Sequence, residues 1–97
     1  MPIKRIDKKR LTHLCRTLAE MSTPEQIEAF LYDVCTPQEL AELANRWHIA
    51  NLLSTTKKSY REIAEEVDTS VTTVGRVARF LNEEKYGGYR AALKKAR

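Results

Sequence analysis

The sequence is poor in residues that interrupt helices and in residues that build disulfide or metal sites. It has only three glycines and three prolines in 97 residues, and polar and apolar residues seldom alternate, which favours helices over strands. The two cysteines, Cys15 and Cys35, are too few and too far apart for a disulfide scaffold or a zinc site. Each lies in a helical apolar pattern, which predicts core packing. His13 and His48 lack the spacing of a metal-binding pair, so we expect no metal and no cofactor.

Long apolar runs are also absent. No run approaches the ~18 residues that a membrane span needs, and the first five residues already carry charge, unlike a signal peptide. We therefore expect a cytoplasmic protein that does not enter a membrane. The length predicts a single domain over residues 1–97, and no set of side chains resembles a catalytic centre, so we do not expect an enzyme.

The net charge of +4 is unevenly distributed along the chain. Residues 1–21 carry six basic and two acidic side chains, residues 22–56 one basic and five acidic, and residues 57–97 ten basic and six acidic. Two basic regions on either side of an acidic middle favour a polyanionic partner. The basic arm, Lys4 to Arg10, has two interpretations at this point: it adds phosphate contacts, or it is a solvated and frayed helix start.

Three helix starts are marked by side chains that can cap a helix. Thr23, Thr36 and Ser59 are each followed three residues later by Glu or Gln, which is the pattern of a capping box. Proline follows the two threonines at the first helical position. Apolar residues keep helical spacing in six groups: Leu11, Leu14, Cys15 and Leu18; Ile27, Phe30, Leu31 and Val34; Leu40, Leu43, Ala44 and Trp47; Ile63, Ala64 and Val67; Val71, Val74, Ala78 and Leu81; Tyr89, Ala92, Leu93 and Ala96. The sequence therefore predicts an all-α protein of about six helices.

Residues 60–79 have the pattern of a helix-turn-helix. Two short helices are joined by a tight turn around residues 68–70, and Ala64 is small where a crossing helix would pass closely. Val74 and Val77 are predicted to face back toward the first helix. The outward face carries short hydroxyls and one arginine, which suit the major groove of duplex DNA: Ser70, Thr72, Thr73, Gly75 and Arg76.

Gly75 lies inside the second of these helices, where glycine costs about 1 kcal/mol relative to alanine. Two reasons are open at this point. The backbone could approach DNA closely there, or a neighbouring helix could make a tight contact.

From about Phe30 to Leu93 the sequence resembles the Trp repressor family, in particular its Trp-repressor-like branch. The most specific pieces are Thr36-Pro37 opening a long helix, Arg46 ten residues later, Ser59 with Arg61-Glu62-Ile63, and Thr73 with Arg76. The resemblance implies an all-helical, intertwined homodimer whose first helices wrap around the partner subunit.

The resemblance also implies where DNA would lie. The helix-turn-helix would span about residues 59–83, with Tyr60 and Arg61 near phosphates or an edge base. Val71, Thr72 and Thr73 would enter the groove of double-stranded DNA.

In the family, tryptophan lies between two arginines, and the matching positions here are Arg46 and Arg76, with Thr36 at a further pocket position. Val77 stands where the tryptophan-sensing members have glycine, and Phe80 stands where they have serine. Because a branched side chain and a ring would occupy the slot, we do not expect tryptophan to bind. The sequence leaves open whether another small molecule does.

These observations predict a homodimeric, sequence-specific DNA-binding transcriptional regulator that acts as a repressor. The alternative is a helical dimer that serves as a protein-interaction module without specific DNA binding. Three acids in the first helix of the pair favour that alternative, because they would repel phosphate: Glu62, Glu65 and Glu66.

Overall fold

The structure, a computed structural model, describes residues 5–95, and within that range it contains six helices and no strand. The helices are α1 (Lys8–Glu20), α2 (Pro24–Val34), α3 (Pro37–Thr55), α4 (Tyr60–Val67), α5 (Val71–Asn82) and α6 (Gly88–Lys95). The predicted all-α fold is confirmed. Lys4 of the basic arm and Ala96 of the last apolar group lie outside the described residues.

The predicted capping residues stand at the helix starts. Helix α3 begins at Pro37, directly after Thr36. The Thr23 side chain accepts a hydrogen bond from the backbone N–H of Gln26 at 3.2 Å. The reciprocal bond differs from the prediction, since the Gln26 side-chain oxygen accepts from the N–H of Ser22 at 3.0 Å instead of from Thr23. Ser22 offers its hydroxyl to the same oxygen at 3.3 Å, so two donors meet one acceptor there.

The capping box at α4 is complete. The Ser59 hydroxyl oxygen accepts from the backbone N–H of Glu62 at 3.1 Å, and the Glu62 carboxylate accepts from the backbone N–H of Ser59 at 2.8 Å. Two N–H groups that a helix start leaves without partners are thus satisfied locally. The first helix of the helix-turn-helix therefore begins where the sequence predicts.

The chain divides into two compact units, one up to Pro37 and the other from Gln38 onward. In the first unit, no residue of α1 or α2 is buried. Cys15 is exposed and Cys35 is half-buried. The prediction of core packing is therefore wrong for Cys15 in the single chain, because its helix contributes nothing to a core there.

The hydrophobic core lies in the second unit, where α4 and α5 pack with the later half of α3. Its buried residues are Ile49, Ala50, Ile63, Ala64, Val74 and Val77. Ala64, Val74 and Val77 confirm the predicted crossing positions. Val71 belongs to the predicted apolar stripe of α5 but is 49% exposed, so the stripe enters the core only from Val74 onward.

A second correction concerns the earlier half of α3. Leu43 and Trp47 belong to its predicted apolar stripe, yet they remain 46% and 36% exposed. The stripe is present, but the chain itself does not cover it.

The corner between α5 and α6 is formed by a glycine and an arginine. Gly87 has a φ of 68°, a backbone conformation that glycine adopts without steric cost. Arg90 then donates to the carbonyl oxygens of Leu81 at 2.6 Å and Glu84 at 3.3 Å. Carbonyl groups at the end of α5 thereby find partners, and α6 begins directly after Gly87.

The capping box makes the stability of α4 sensitive to acid. The pKa of the Glu62 carboxyl is lowered, first by the hydrogen bond with the Ser59 backbone, then by the hydrogen bond with the Ser59 side chain, and also by the Lys58 charge. A carboxylate with a lowered pKa contributes stability that is complete above its unfolded value of about 4.3 and is lost as the pH falls through the folded value. Glu62→Gln keeps an acceptor oxygen but cannot titrate.

We therefore expect the stability advantage of the wild type over Glu62→Gln to shrink as the pH falls from about 6 to about 3. Thermal unfolding followed by circular dichroism at several pH values measures this difference. A difference that does not vary with pH would contradict the proposed role of the ionised carboxylate.

Candidate nucleic-acid interface

Helices α4 and α5 are joined by a tight turn, as the sequence predicts. Asp68 ends α4 in the left-handed backbone region, with φ 59° and ψ 56°, which aspartate tolerates better than most residues. The N–H of Thr69 then donates to the carbonyl of Ala64 at 2.9 Å. This bond closes the end of α4 and turns the chain toward Ser70.

Ser70 and Thr73 hold the start of α5 together. The Ser70 hydroxyl oxygen accepts from the backbone N–H of Thr73 at 3.0 Å, and the two hydroxyl groups bond to each other at 2.9 Å. Thr73 is half-buried and lines a small hollow of about 130 Å³ that also touches Arg46 and Thr69. Both hydroxyl groups thus stabilise the start of α5. Thr73 lies between the buried and the exposed sides of this helix.

The exposed side of the helix-turn-helix carries the other predicted contact residues. Tyr60 and Arg61 are exposed in the first turn of α4, and Val71, Thr72 and Arg76 are exposed on α5. The buried line of α5 consists of Val74, Val77, Ala78 and Leu81. The 3.6-residue period of the helix turns Thr72 and Arg76 away from that line.

Arg79 is a residue that the sequence interpretation missed. It lies three positions after Arg76 and seven after Thr72, so it shares their side of α5, and its side chain is exposed. It pairs with Glu84 at 3.5 Å. The helical spacing of the two arginines was the signal that could have identified it.

Gly75 faces open space. A Cβ atom added there would meet nothing within 4 Å, so the interpretation as a tight contact with a neighbouring helix is wrong within the single chain. The interpretation as a close approach of DNA stays a prediction.

Two of the three acids of α4 are engaged by neighbours. Glu62 belongs to the capping box, and Glu66 forms an ion pair with Lys58. These partners partly offset the charge of the two carboxylates, which weakens the argument that α4 would repel phosphate.

A cleft between α3, α5 and α6 brings Arg46 and Arg76 together. Its volume is about 260 Å³, and the lining residues are Leu43, Arg46, Trp47, Arg76, Val77, Phe80 and Tyr89. Thr36 is the third predicted ligand-binding residue. It belongs to the first compact unit, directly before α3, and does not line this cleft.

Both arginines of the cleft already have partners within the chain. The Arg76 guanidinium lies 4.5 Å from the centre of the Phe80 ring, a cation–π geometry, and Arg46 pairs with Glu42 at 3.7 Å. Phe80 in turn stacks on Tyr86, with 6.2 Å between ring centres. Val77 is only 1% exposed and belongs to the core.

The part of the chain that the structure describes contains no group of three or more His, Cys, Asp or Glu side chains that could hold a metal ion. None of its helices is long and apolar enough to cross a membrane.

Comparisons with known proteins agree with the geometry. The family model described as Trp repressor protein matches residues 9–97. The uncharacterized protein YerC of Bacillus subtilis is 32% identical over 82 residues, which cover 84% of this chain and 78% of YerC. The crystal structure of a TrpR-like protein from Eubacterium eligens superposes with a TM-score of 0.82 at 27% identity, covering 91% of this chain and 89% of that one.

The open space at Gly75 generates a prediction. Gly75→Ala should raise the free energy of unfolding by about 1 kcal/mol, because alanine restricts the unfolded chain and meets no obstacle in the helix. Urea denaturation measures the change. The matched control is Gly87→Ala, which should destabilise the protein because its φ is 68°. A loss of stability in Gly75→Ala would show that the position is not open.

Proposed function

The chain belongs to the Trp repressor family, and from this membership we propose that it is a cytoplasmic, sequence-specific transcriptional repressor that reads the major groove of DNA as a homodimer. The family is a regulatory DNA-binding family and not an enzyme family. The observation that carries the proposal is the helix-turn-helix itself: α4 and α5 bury one side of each helix and leave an exposed side with hydroxyl and guanidinium groups.

The proposed mechanism places the start of α5 in the groove. Thr72 offers a short hydroxyl, and Arg76 can bond guanine or a phosphate. Gly75 lets the backbone approach, since no side chain stands between it and the duplex. The full set of proposed DNA contacts is Tyr60, Arg61, Ser70, Val71, Thr72, Thr73, Gly75 and Arg76.

The homodimer is supported by apolar surface that the single chain leaves uncovered. Helices α1 and α2 bury no residue, and Leu43 and Trp47 remain exposed on α3. A two-fold partner would cover such faces, and its second helix-turn-helix would lie about 34 Å from the first. A dimer of this kind prefers a palindromic site.

We further propose that DNA binding does not need tryptophan. Val77 is packed in the core, and Arg76 stacks on the Phe80 ring of the same helix. The two guanidiniums that would enclose an indole are therefore engaged by Phe80 and Glu42.

The experiment that tests the proposed function is selection from a random duplex library with the purified protein, at near-physiological salt and without added ligand. We expect enrichment of a palindrome whose half-sites lie about one helical turn apart, or a multiple of it. Failure to enrich any sequence, with or without tryptophan, would favour the interaction-module alternative.

Single substitutions then test the assigned contacts. Arg76→Ala should weaken binding to the selected site by about 1–3 kcal/mol and relax the preference at one base pair. A loss that is equal for the selected and a scrambled duplex would mean that Arg76 contacts phosphate only. Arg10→Ala, a change of the same charge outside the helix-turn-helix, is the control and should leave the base preference unchanged.

The proposal about tryptophan has its own test. Titration calorimetry should detect no tryptophan binding, and the affinity for the selected duplex should not change when tryptophan is added. An affinity that rises with tryptophan would contradict the proposal that Phe80 and Glu42 keep the two guanidiniums of the cleft engaged.

A further inference from the structure

Helix α1 carries a basic face that the helix-turn-helix does not use. Lys8, Thr12 and Arg16 are spaced by four residues and form one line along the helix, and Lys9 and His13 form the next. These five side chains line an open groove of about 340 Å³. We propose that this α1 basic face binds the phosphate backbone of duplex DNA as a second, sequence-independent contact. The inference rests on the proposed function.

The basic face lies opposite the apolar face of the same helix. The apolar face comprises Leu11, Leu14, Cys15 and Leu18, and its centre is turned about 140° from that of the basic face at 3.6 residues per turn. A partner that covers the apolar face therefore leaves the basic face exposed to solvent, where a polyanion can bind it.

The positions of these cations are not explained by helix stability. Lys8 and Lys9 stand in the first turn, where positive charge opposes the helix dipole, and that turn contains no acidic residue. Asp7, the capping residue, accepts from the backbone N–H of Arg10 and pairs with the Arg10 side chain at 3.7 Å. The Asp7 carboxylate thus pairs with Arg10, whose side chain lies off the basic face. This pairing does not neutralise the cations of the basic face.

The spacing and the chemistry of the face suit a strand of DNA. Lys8 and Arg16 are separated by about 12 Å along the helix axis, a length over which one strand of B-DNA carries about three phosphates. Lysine, arginine and threonine are usual donors to phosphate oxygens. The face can therefore contact two or more consecutive phosphates without reading a base.

An anionic membrane is the other polyanionic surface to consider. A helix that lies on a membrane inserts its apolar face into the lipid and carries its cations on the polar face, as α1 does. Duplex DNA is the occupant favoured here, because the chain belongs to a DNA-binding family.

The test is the salt dependence of DNA binding by the full chain. The variant Lys8→Gln/Lys9→Gln/Arg16→Gln removes three charges while retaining good helix formers. Its affinity for the selected duplex and for a scrambled duplex is measured between about 50 and 200 mM salt. We expect the slope of log affinity against log salt to become shallower by about 2 per protomer, since two lost phosphate contacts each contribute about 0.9. Both duplexes should lose affinity by the same factor, so that the specificity ratio is unchanged.

The matched control compares two single variants on one helix. Arg16→Gln lies on the basic face, whereas Arg10→Gln lies off it, with a side chain that is 89% exposed. We expect only Arg16→Gln to make the slope shallower. Circular dichroism confirms that each variant retains its helices.

Each remaining outcome decides against a stated claim. A wild-type slope in the triple variant would overturn the inference and leave the proposed function intact. Equal effects of Arg10→Gln and Arg16→Gln on the slope would mean that the net charge of the protein determines the salt dependence, and not the α1 basic face. Binding to phosphatidylserine vesicles that the triple variant loses, while its DNA slope stays unchanged, would assign the face to a membrane. If the wild type binds no duplex at all, the proposed function fails and the inference fails with it.

Discussion

The close crossing of α4 and α5 is the constraint on which the rest of the second unit depends. Ala64 is small enough for the two helices to approach, and Val74 and Val77 fill the contact against the later half of α3. When packing determines which side of α5 is buried, it also determines which side faces solvent, and that side carries Thr72 and Arg76. The orientation of the candidate contact residues is thus a consequence of core packing.

The features that the sequence predicted are those decided within three or four residues along the chain. The helix starts after Thr23 and Ser59 depend on a hydroxyl and a nearby backbone N–H, and both are found. Burial was predicted less well because it depends on partners distant in sequence. The pattern around Cys15 and Leu43 shows that each helix has an apolar face, but it does not show whether the same chain covers that face.

The same distinction between features decided within a few residues and features decided by packing applies to the candidate site. Helical phase was enough to predict that Thr72 and Arg76 point outward, and the same phase identifies Arg79. The stacking of Arg76 on Phe80 joins neighbours four residues apart on α5, but the rotamers that bring the guanidinium over the ring are not specified by the sequence pattern. The bond between the Ser70 and Thr73 hydroxyls likewise appears only when both rotamers are known, so a residue predicted as a contact proves to hold the helix start as well.

The open space at Gly75 has a consequence for how such chains diverge. Nothing in the single chain obstructs a side chain there, and glycine weakens the helix that contains it. If contact with DNA is what retains the glycine, as proposed, a descendant that lost this contact would gain stability from most replacements at this position. Relatives that keep the fold but do not bind DNA through α5 are then expected to have lost the glycine.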